Sequence, residues 1–107
     1  MNYKQADEKL QGRNKDSIKV ANNTHLQRRG EGKIALKLHD TDIITWLPNG
    51  ETVFYTGGYQ TVTTKSRMNE FTPSLRIYQK NYQWYWSNDE IYNEYDILKD
   101  VAGEGSI

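Results

Sequence analysis

Cysteine is absent from the 107 residues, which excludes a disulfide framework and any thiolate-based metal site. Proline is confined to positions 48 and 73, beside a turn signal and a helix-end signal. No apolar run approaches the roughly 20 residues needed to span a bilayer. The opening Met1-Asn2-Tyr3-Lys4-Gln5-Ala6-Asp7-Glu8 lacks the apolar stretch of a signal peptide. An excess of charge of one sign is also missing, since 14 Lys and Arg stand against 14 Asp and Glu. These absences predict a protein of a reducing, cytoplasmic compartment with no membrane association.

What is present is aromatic. Eight Tyr and three Trp are bulky enough to close a small core, and the length suits one domain. The charge is balanced overall but not locally. Residues 1–39 carry nine Lys and Arg against four acids, whereas residues 88–107 carry six acids against Lys99. A basic front and an acidic back are the main electrostatic fact.

Residues 1–20 are polar and are expected to form a partly ordered arm. From Asn22 the pattern has period two, and it resumes from Lys33 to His39 after Gly30-Glu31-Gly32, which predicts an antiparallel hairpin. With the turn centred on Glu31, Arg29 faces Lys33, Gln27 faces Ala35, His25 faces Lys37 and Asn23 faces His39. Leu26, Ile34, Leu36 and Leu38 then share the core face, leaving the other face basic and histidine-bearing. Ile43 to Leu47 and Glu51 to Thr56 predict two more strands about an Asn49-Gly50 turn.

Gly57-Gly58 interrupts, and Thr63 or Thr64 is expected to cap a helix over Lys65–Phe71, ended by Pro73. Residues 75–79 and 82–86 predict a second hairpin with Tyr82, Trp84 and Trp86 on one face. Residues 89–100 have the spacing of a closing helix with Ile91, Tyr95 and Leu98 as its apolar stripe. The fold expected is α+β: a mainly antiparallel sheet built from a four-strand meander, one helix and a two-strand hairpin, with a C-terminal helix. The globular domain is expected over 21–100, with a frayed tail over 101–107.

Leu38-His39-Asp40-Thr41-Asp42-Ile43-Ile44-Thr45, followed by Gly57-Gly58-Tyr59 and Thr61-Val62-Thr63-Thr64-Lys65 with Arg67 and Asn69, resembles a group of small phage-encoded proteins without assigned activity. Tyr59 stands where that group is expected to have Trp. The resemblance covers roughly residues 22–86 and implies an accessory protein made inside an infected or lysogenised bacterium, hence in the host cytoplasm.

Three constellations carry possible chemistry. Thr63, Thr64 and Lys65, with Thr61 before them and Arg67 and Asn69 beyond, have the make-up of an anion cradle at a helix start, or of a Thr-rich strand followed by an ordinary cap. Gly-x-x-x-x-Gly-Lys-Ser/Thr spacing is missing, so this is not a P-loop. Arg28, Arg29, Lys37 and His39, with Tyr59 exposed nearby, fit a nucleic-acid face in which cations meet phosphates and rings stack on bases, or a solvated sheet face. Asp89, Glu90, Glu94 and Asp96 fit an acidic surface that covers the basic face of a partner, or the wet side of a closing helix.

His39 and His25 are the candidates for catalysis. His39, Asp40 and Asp42 alternate along a strand and do not converge as metal ligands must, so neither a metal nor a cofactor is expected. The leading expectation is an accessory protein that acts by binding a host protein, a defence or nucleic-acid-handling factor, and modulates or inhibits it. The alternative is recognition of nucleic acid or a nucleotide by the basic face and the Thr61–Lys65 helix start. A metal-independent nuclease built from His25, His39, Lys65 and Arg67 is third.

Overall fold

The computed structural model describes residues 1–11 and 16–99; the tail expected over 101–107 lies outside them. In chain order the elements are α1 (Tyr3–Lys9), β1 (Ser17–Ala21), β2 (Thr24–Arg28), a 3-10 turn over Gly30–Gly32, β3 (Ile34–Leu38), β4 (Thr41–Trp46), β5 (Glu51–Phe54), α2 (Val62–Phe71), β6 (Ile77–Lys80), β7 (Gln83–Trp86) and β8 (Asp96–Lys99). The fold is α+β. Six antiparallel strands form the main sheet in the order β1-β2-β3-β4-β5-β8, and β6 and β7 form a separate hairpin.

The first hairpin has the register that its alternation predicts: His25 pairs with Lys37 and Gln27 with Ala35. The Arg29 amide donates to the Lys33 carbonyl and the His39 amide to the Asn23 carbonyl. Leu26, Leu36, Ile44, Trp46 and Phe54 consequently fall on one face and are fully buried. A bulge beside Lys37 inserts Ile43 opposite the break and turns its side chain into the core, where it is 1% exposed.

Both helices and the second hairpin pack on that buried face. Ala6 and Leu10 of the α1 segment, Met68 of α2, and Ile77, Trp84 and Trp86 of the hairpin join one apolar cluster with the sheet residues. Trp86 meets Phe54 edge-on at a centroid distance of 4.8 Å. The N-terminal segment, expected as a polar arm, supplies α1, capped by Asn2 with a reciprocal Gln5 bond, and the edge strand β1. The Trp46 indole N–H donates to the Met1 carbonyl and the Tyr3 hydroxyl to the Gly32 carbonyl.

Four local expectations differ from the structure. Helix α2 begins at Val62, three residues early, because Thr61 is the cap whose hydroxyl accepts the Thr64 amide. At the β4–β5 connection only Gly50 has positive φ. Asn49 instead uses its side-chain oxygen to accept the Glu51 amide, and the Leu47 amide donates to the Glu51 carbonyl, so the three residues Pro48, Asn49 and Gly50 turn the chain inside that bond. The second hairpin turns at Asn81 and Tyr82, both at positive φ (53° and 67°). Tyr82 is therefore 94% exposed and does not share a face with Trp84 and Trp86.

Residues 89–99 are not helical. Asp89 and Tyr95 have positive φ, Ile91 bridges to Tyr85, and 96–99 form β8 against β5. The reason lies in the Asn and Asp side chains, which offer the backbone local partners that compete with helix bonds. Asn88 accepts the Glu90 amide, and Asp96 accepts the Asn93 amide. The expected stripe does not hold together either: Ile91 and Tyr95 are exposed and Tyr92 is buried, while Leu98 packs against the core.

Left-handed backbone at a non-glycine residue costs about 1–2 kcal/mol, and the Tyr82 ring is almost wholly in solvent. Replacing Tyr82 by Gly is expected to raise unfolding stability by about 1 kcal/mol, read as a higher urea midpoint with an unchanged denaturant slope.

Candidate functional site

The sheet face opposite the core is covered by neither helix nor the second hairpin. Cross-strand pairing sets its side chains in two rows. Lys19, His25, Lys37 and Asp42 lie side by side across β1 to β4, and Ser17, Gln27, Ala35, Thr45, Val53 and Ile97 lie side by side across all six strands. Lys19 is exposed, and His25 and Lys37 are half-buried; neither lysine forms an ion pair among the described residues. At the far end the Tyr55 and Tyr95 rings stack at 4.5 Å with an interplanar angle of 18°. A shallow basin of about 630 Å³ lies there, lined by Arg29, Asp42, Thr45, Val53, Tyr55 and Tyr95 together with Asp40, Thr41 and Gly57.

Several of the expected cations are held within the fold. Arg29 grips Asp42 through two bonds, 2.7 Å and 2.9 Å, which raises its already high pKa. Arg28 pairs with Asp7 and donates to the Leu10 carbonyl. Arg67 donates to the buried Thr24 hydroxyl and contacts Glu70. Asn69 receives the Ile77 amide and donates to its carbonyl, acting as a one-residue substitute for a neighbouring strand. Lys65 reaches Gln79 at 3.4 Å. The bonds of Arg67, Asn69 and Lys65 anchor α2 to the sheet and to β6.

A second cavity, of about 540 Å³, opens on the other side of the β3–β4 turn. One wall is Leu38, His39, Asp40, Thr41 and Ile43; the other is Thr56, Tyr59, Thr61, Thr63 and Thr64. The two sequence stretches quoted for the phage resemblance therefore face each other here. His39, Tyr59, Thr63 and Thr64 are brought together, with Lys65, Arg67 and Asn69 outside the lining and His25 on the opposite sheet face. Close approach of the walls needs a glycine: Gly57 has φ +67°, and a Cβ there would lie 3.2 Å from Thr41 Cγ2.

The expected acidic surface is divided. Asp89 and Glu90 are exposed near the turn after β7, where Asp89 accepts from the Tyr78 hydroxyl and Glu90 from the Asn88 side chain. Asp96 points inward and accepts the Trp86 indole N–H at 2.8 Å. Glu94 accepts the Thr56 amide, the Thr56 hydroxyl and the Tyr92 hydroxyl at 2.7–3.1 Å, and the Gly58 amide donates to the Thr56 hydroxyl at 3.2 Å. Burial opposes its charge, but the hydrogen bonds from Tyr92 and Thr56 outweigh burial and hold its pKa below the ordinary 4.5. Tyr92 moves the other way, raised first by burial and then by its bond to Glu94.

No curated protein and no solved structure matches the chain. One protein-family model, described as Kyanoviridae Gp96 protein, matches residues 4–102. The chain belongs to that family. It is a small phage-encoded protein, and no helix among its described residues is long and apolar enough to cross a membrane. In this phage protein the cavity wall after β5 is fixed by Glu94, a residue whose sequence context shows only one acid among many. The Tyr55–Tyr95 stack carried a fainter signal, since Val53 and Tyr55 alternate onto the face opposite Phe54.

The depressed pKa of Glu94 has a signed consequence. Its contribution is complete above the ordinary value of 4.5 and is lost as pH falls through the lower folded value. Glu94→Ala also strips the acceptor from buried Thr56, so a loss of about 1–3 kcal/mol at neutral pH is expected. Urea titrations over a pH series check both points: the wild-type midpoint should fall on acidification below pH 4.5, and Glu94→Gln should flatten that fall.

Proposed function

We propose that this phage protein acts by binding a single-stranded nucleic acid across the bare face of its six-stranded sheet. The observation that carries the reading is the joint presence, on one face, of lysines that form no ion pair among the described residues and a stacked aromatic pair. Lys19, His25 and Lys37 lie at one end, and Tyr55 and Tyr95 at the other. Adjacent strands are about 4.8 Å apart, so the five steps from β1 to β8 span roughly 24 Å. That is room for several nucleotides. Phosphates would lie along the lysine row, and bases would meet the tyrosine basin, whose rings stack on any base without reading its sequence.

A duplex suits this face less well. It would present a continuous phosphate surface but no free base for the tyrosines, and the Arg28 and Arg29 charges are offset by Asp7 and Asp42. The face is thus better matched to weak phosphate pairing plus stacking than to purely electrostatic binding.

Occupation of a host protein is the second reading. What favours it is the β8 edge, where Ile97 is 55% exposed beside the exposed Tyr95, an apolar margin to which another protein could add. The acidic helical face expected to carry that role is not formed. Glu94 and Asp96 serve internal bonds instead.

Fluorescence anisotropy with labelled ten-nucleotide DNA and RNA strands, taken over a salt series, tests the first reading. Binding should weaken as salt rises, and Lys37→Glu should reduce the salt slope by about 0.7 for each phosphate that the protein no longer neutralises. Tyr55→Ala should weaken binding by about 1–3 kcal/mol. Absence of binding at low salt would overturn this reading. Capture of a bacterial protein that is abolished by Ile97→Asp would then move the function to the β8 edge.

A further inference from the structure

Several polar side chains around the 540 Å³ cavity differ from those that lock the fold together. Glu94, Asp96, Asp42, Arg29 and Asn69 all have specific protein partners. The side chains of His39, Asp40, Thr41, Tyr59 and Thr63 form no hydrogen bond among the described residues. They converge on a cavity whose floor is apolar, with Leu38 6% and Ile43 1% exposed. Its volume falls within the range of about 300–1,000 Å³ typical of small-molecule sites. Tyr59 is 69% exposed at the rim, in none of the ring pairs formed by the other tyrosines.

From this we infer that the cavity is a nucleobase pocket, selective for bases that carry an exocyclic amine. An aliphatic floor and a free aromatic ring suit a flat heteroaromatic ligand, which stacks on Tyr59 and covers Leu38 and Ile43. The Asp40 carboxylate accepts hydrogen bonds only, so it favours an exocyclic amine, as on adenine, cytosine or guanine, over the uracil N3–H, which two carbonyl oxygens flank. Thr41 and Thr63 hydroxyls can donate or accept, and so match ring nitrogens and carbonyl oxygens alike. Thr61 and Thr64 are already bonded to each other at 3.0 Å.

A phosphate group is the competing ligand for this place, since α2 begins at the cavity wall. Asp40 at the mouth opposes it, and no lysine or arginine is among the lining residues. The wall itself is held in advance of binding, because Glu94 accepts both the amide and the hydroxyl of Thr56, and that hydroxyl in turn accepts the Gly58 amide. Asp40 and Thr41 belong to both this cavity and the basin on the bare sheet face. A strand leaving the basin over the β3–β4 turn would therefore drop one base into the pocket. That continuation rests on the strand-binding reading, whereas the pocket itself can be tested with nucleosides alone.

The experiment is a titration of the isotope-labelled full chain, followed by amide NMR shifts, with adenosine, cytidine, uridine and inorganic phosphate. Saturable shifts confined to residues 38–43 and 56–64 are expected from adenosine and cytidine. Uridine, without an exocyclic amine, should bind several-fold more weakly, and phosphate should leave these amides unmoved. Asp40→Ala should cost about tenfold in adenosine affinity, the loss expected for one hydrogen bond to a charged group. Tyr59→Ala should abolish saturation, and Tyr59→Phe should retain it, because the ring and not the hydroxyl is invoked.

Equal shifts from phosphate, no saturable shift from any nucleoside, or unchanged adenosine affinity in Asp40→Ala would each overturn the assignment. Asp40 and Tyr59 are exposed, and dispersed amide spectra of the variants verify that they fold. Nucleoside binding at these amides without strand binding in the anisotropy assay upholds the pocket and removes only the strand path. Strand binding with silent nucleosides removes only the pocket.

Discussion

Alternation along a strand is the constraint on which everything else in this molecule depends. Because successive side chains point to opposite faces, a continuous register through β1, β2, β3, β4, β5 and β8 sorts the sheet into two unlike surfaces. One collects Leu26, Leu36, Ile44, Trp46 and Phe54 and must be covered. Both helices and the Trp-bearing hairpin meet that need from the same side. The other surface receives Lys19, His25, Lys37, Thr45, Val53 and Tyr55 and stays open. A slip by one residue would exchange the two sets.

The bulge at Lys37 and Ile43 is where this sorting is locally adjusted. It keeps Ile43 among the buried residues while leaving Asp42 on the open face to hold Arg29. Two cavities flank the turn that follows β3, one on each side of the sheet end, and Asp40 and Thr41 contribute to both. Charge is distributed by the same geometry. The acids of the C-terminal segment, which in sequence form a block, separate into exposed carboxylates at 89 and 90 and inward ones at 94 and 96.

Much of this was legible in the chain, and the exceptions have physical causes. The Gly30–Gly32 turn and the two alternating runs beside it specified the first hairpin down to its residue pairs, because one run was apolar on a single face. The β8 strand was hidden by apolar spacing at 91, 95 and 98 that suits a helix. Asn and Asp side chains overrode that spacing by bonding nearby amides. The cap of α2 was misplaced within a Thr-rich stretch in which several hydroxyls compete for one role. Of the candidate site, His39, Tyr59, Thr63 and Thr64 were visible as residue types and do meet. Glu94 was singled out only for an acidic surface, and its role in holding Thr56, like the Tyr55–Tyr95 pair, depends on β5 meeting a segment some forty residues later.

That late pairing bears on how the protein assembles. Every other strand of the main sheet pairs with its neighbour in sequence, whereas β8 returns across α2 and the second hairpin to lie against β5. Closing so long a loop carries an entropic penalty that local hairpins avoid. The strand expected to dock last is therefore β8. Tyr95 lies just before β8 and Glu94 beside it. The Tyr55–Tyr95 stack of the basin and the Glu94 clamp on the cavity wall are thus both completed by the same late pairing of β8 with β5.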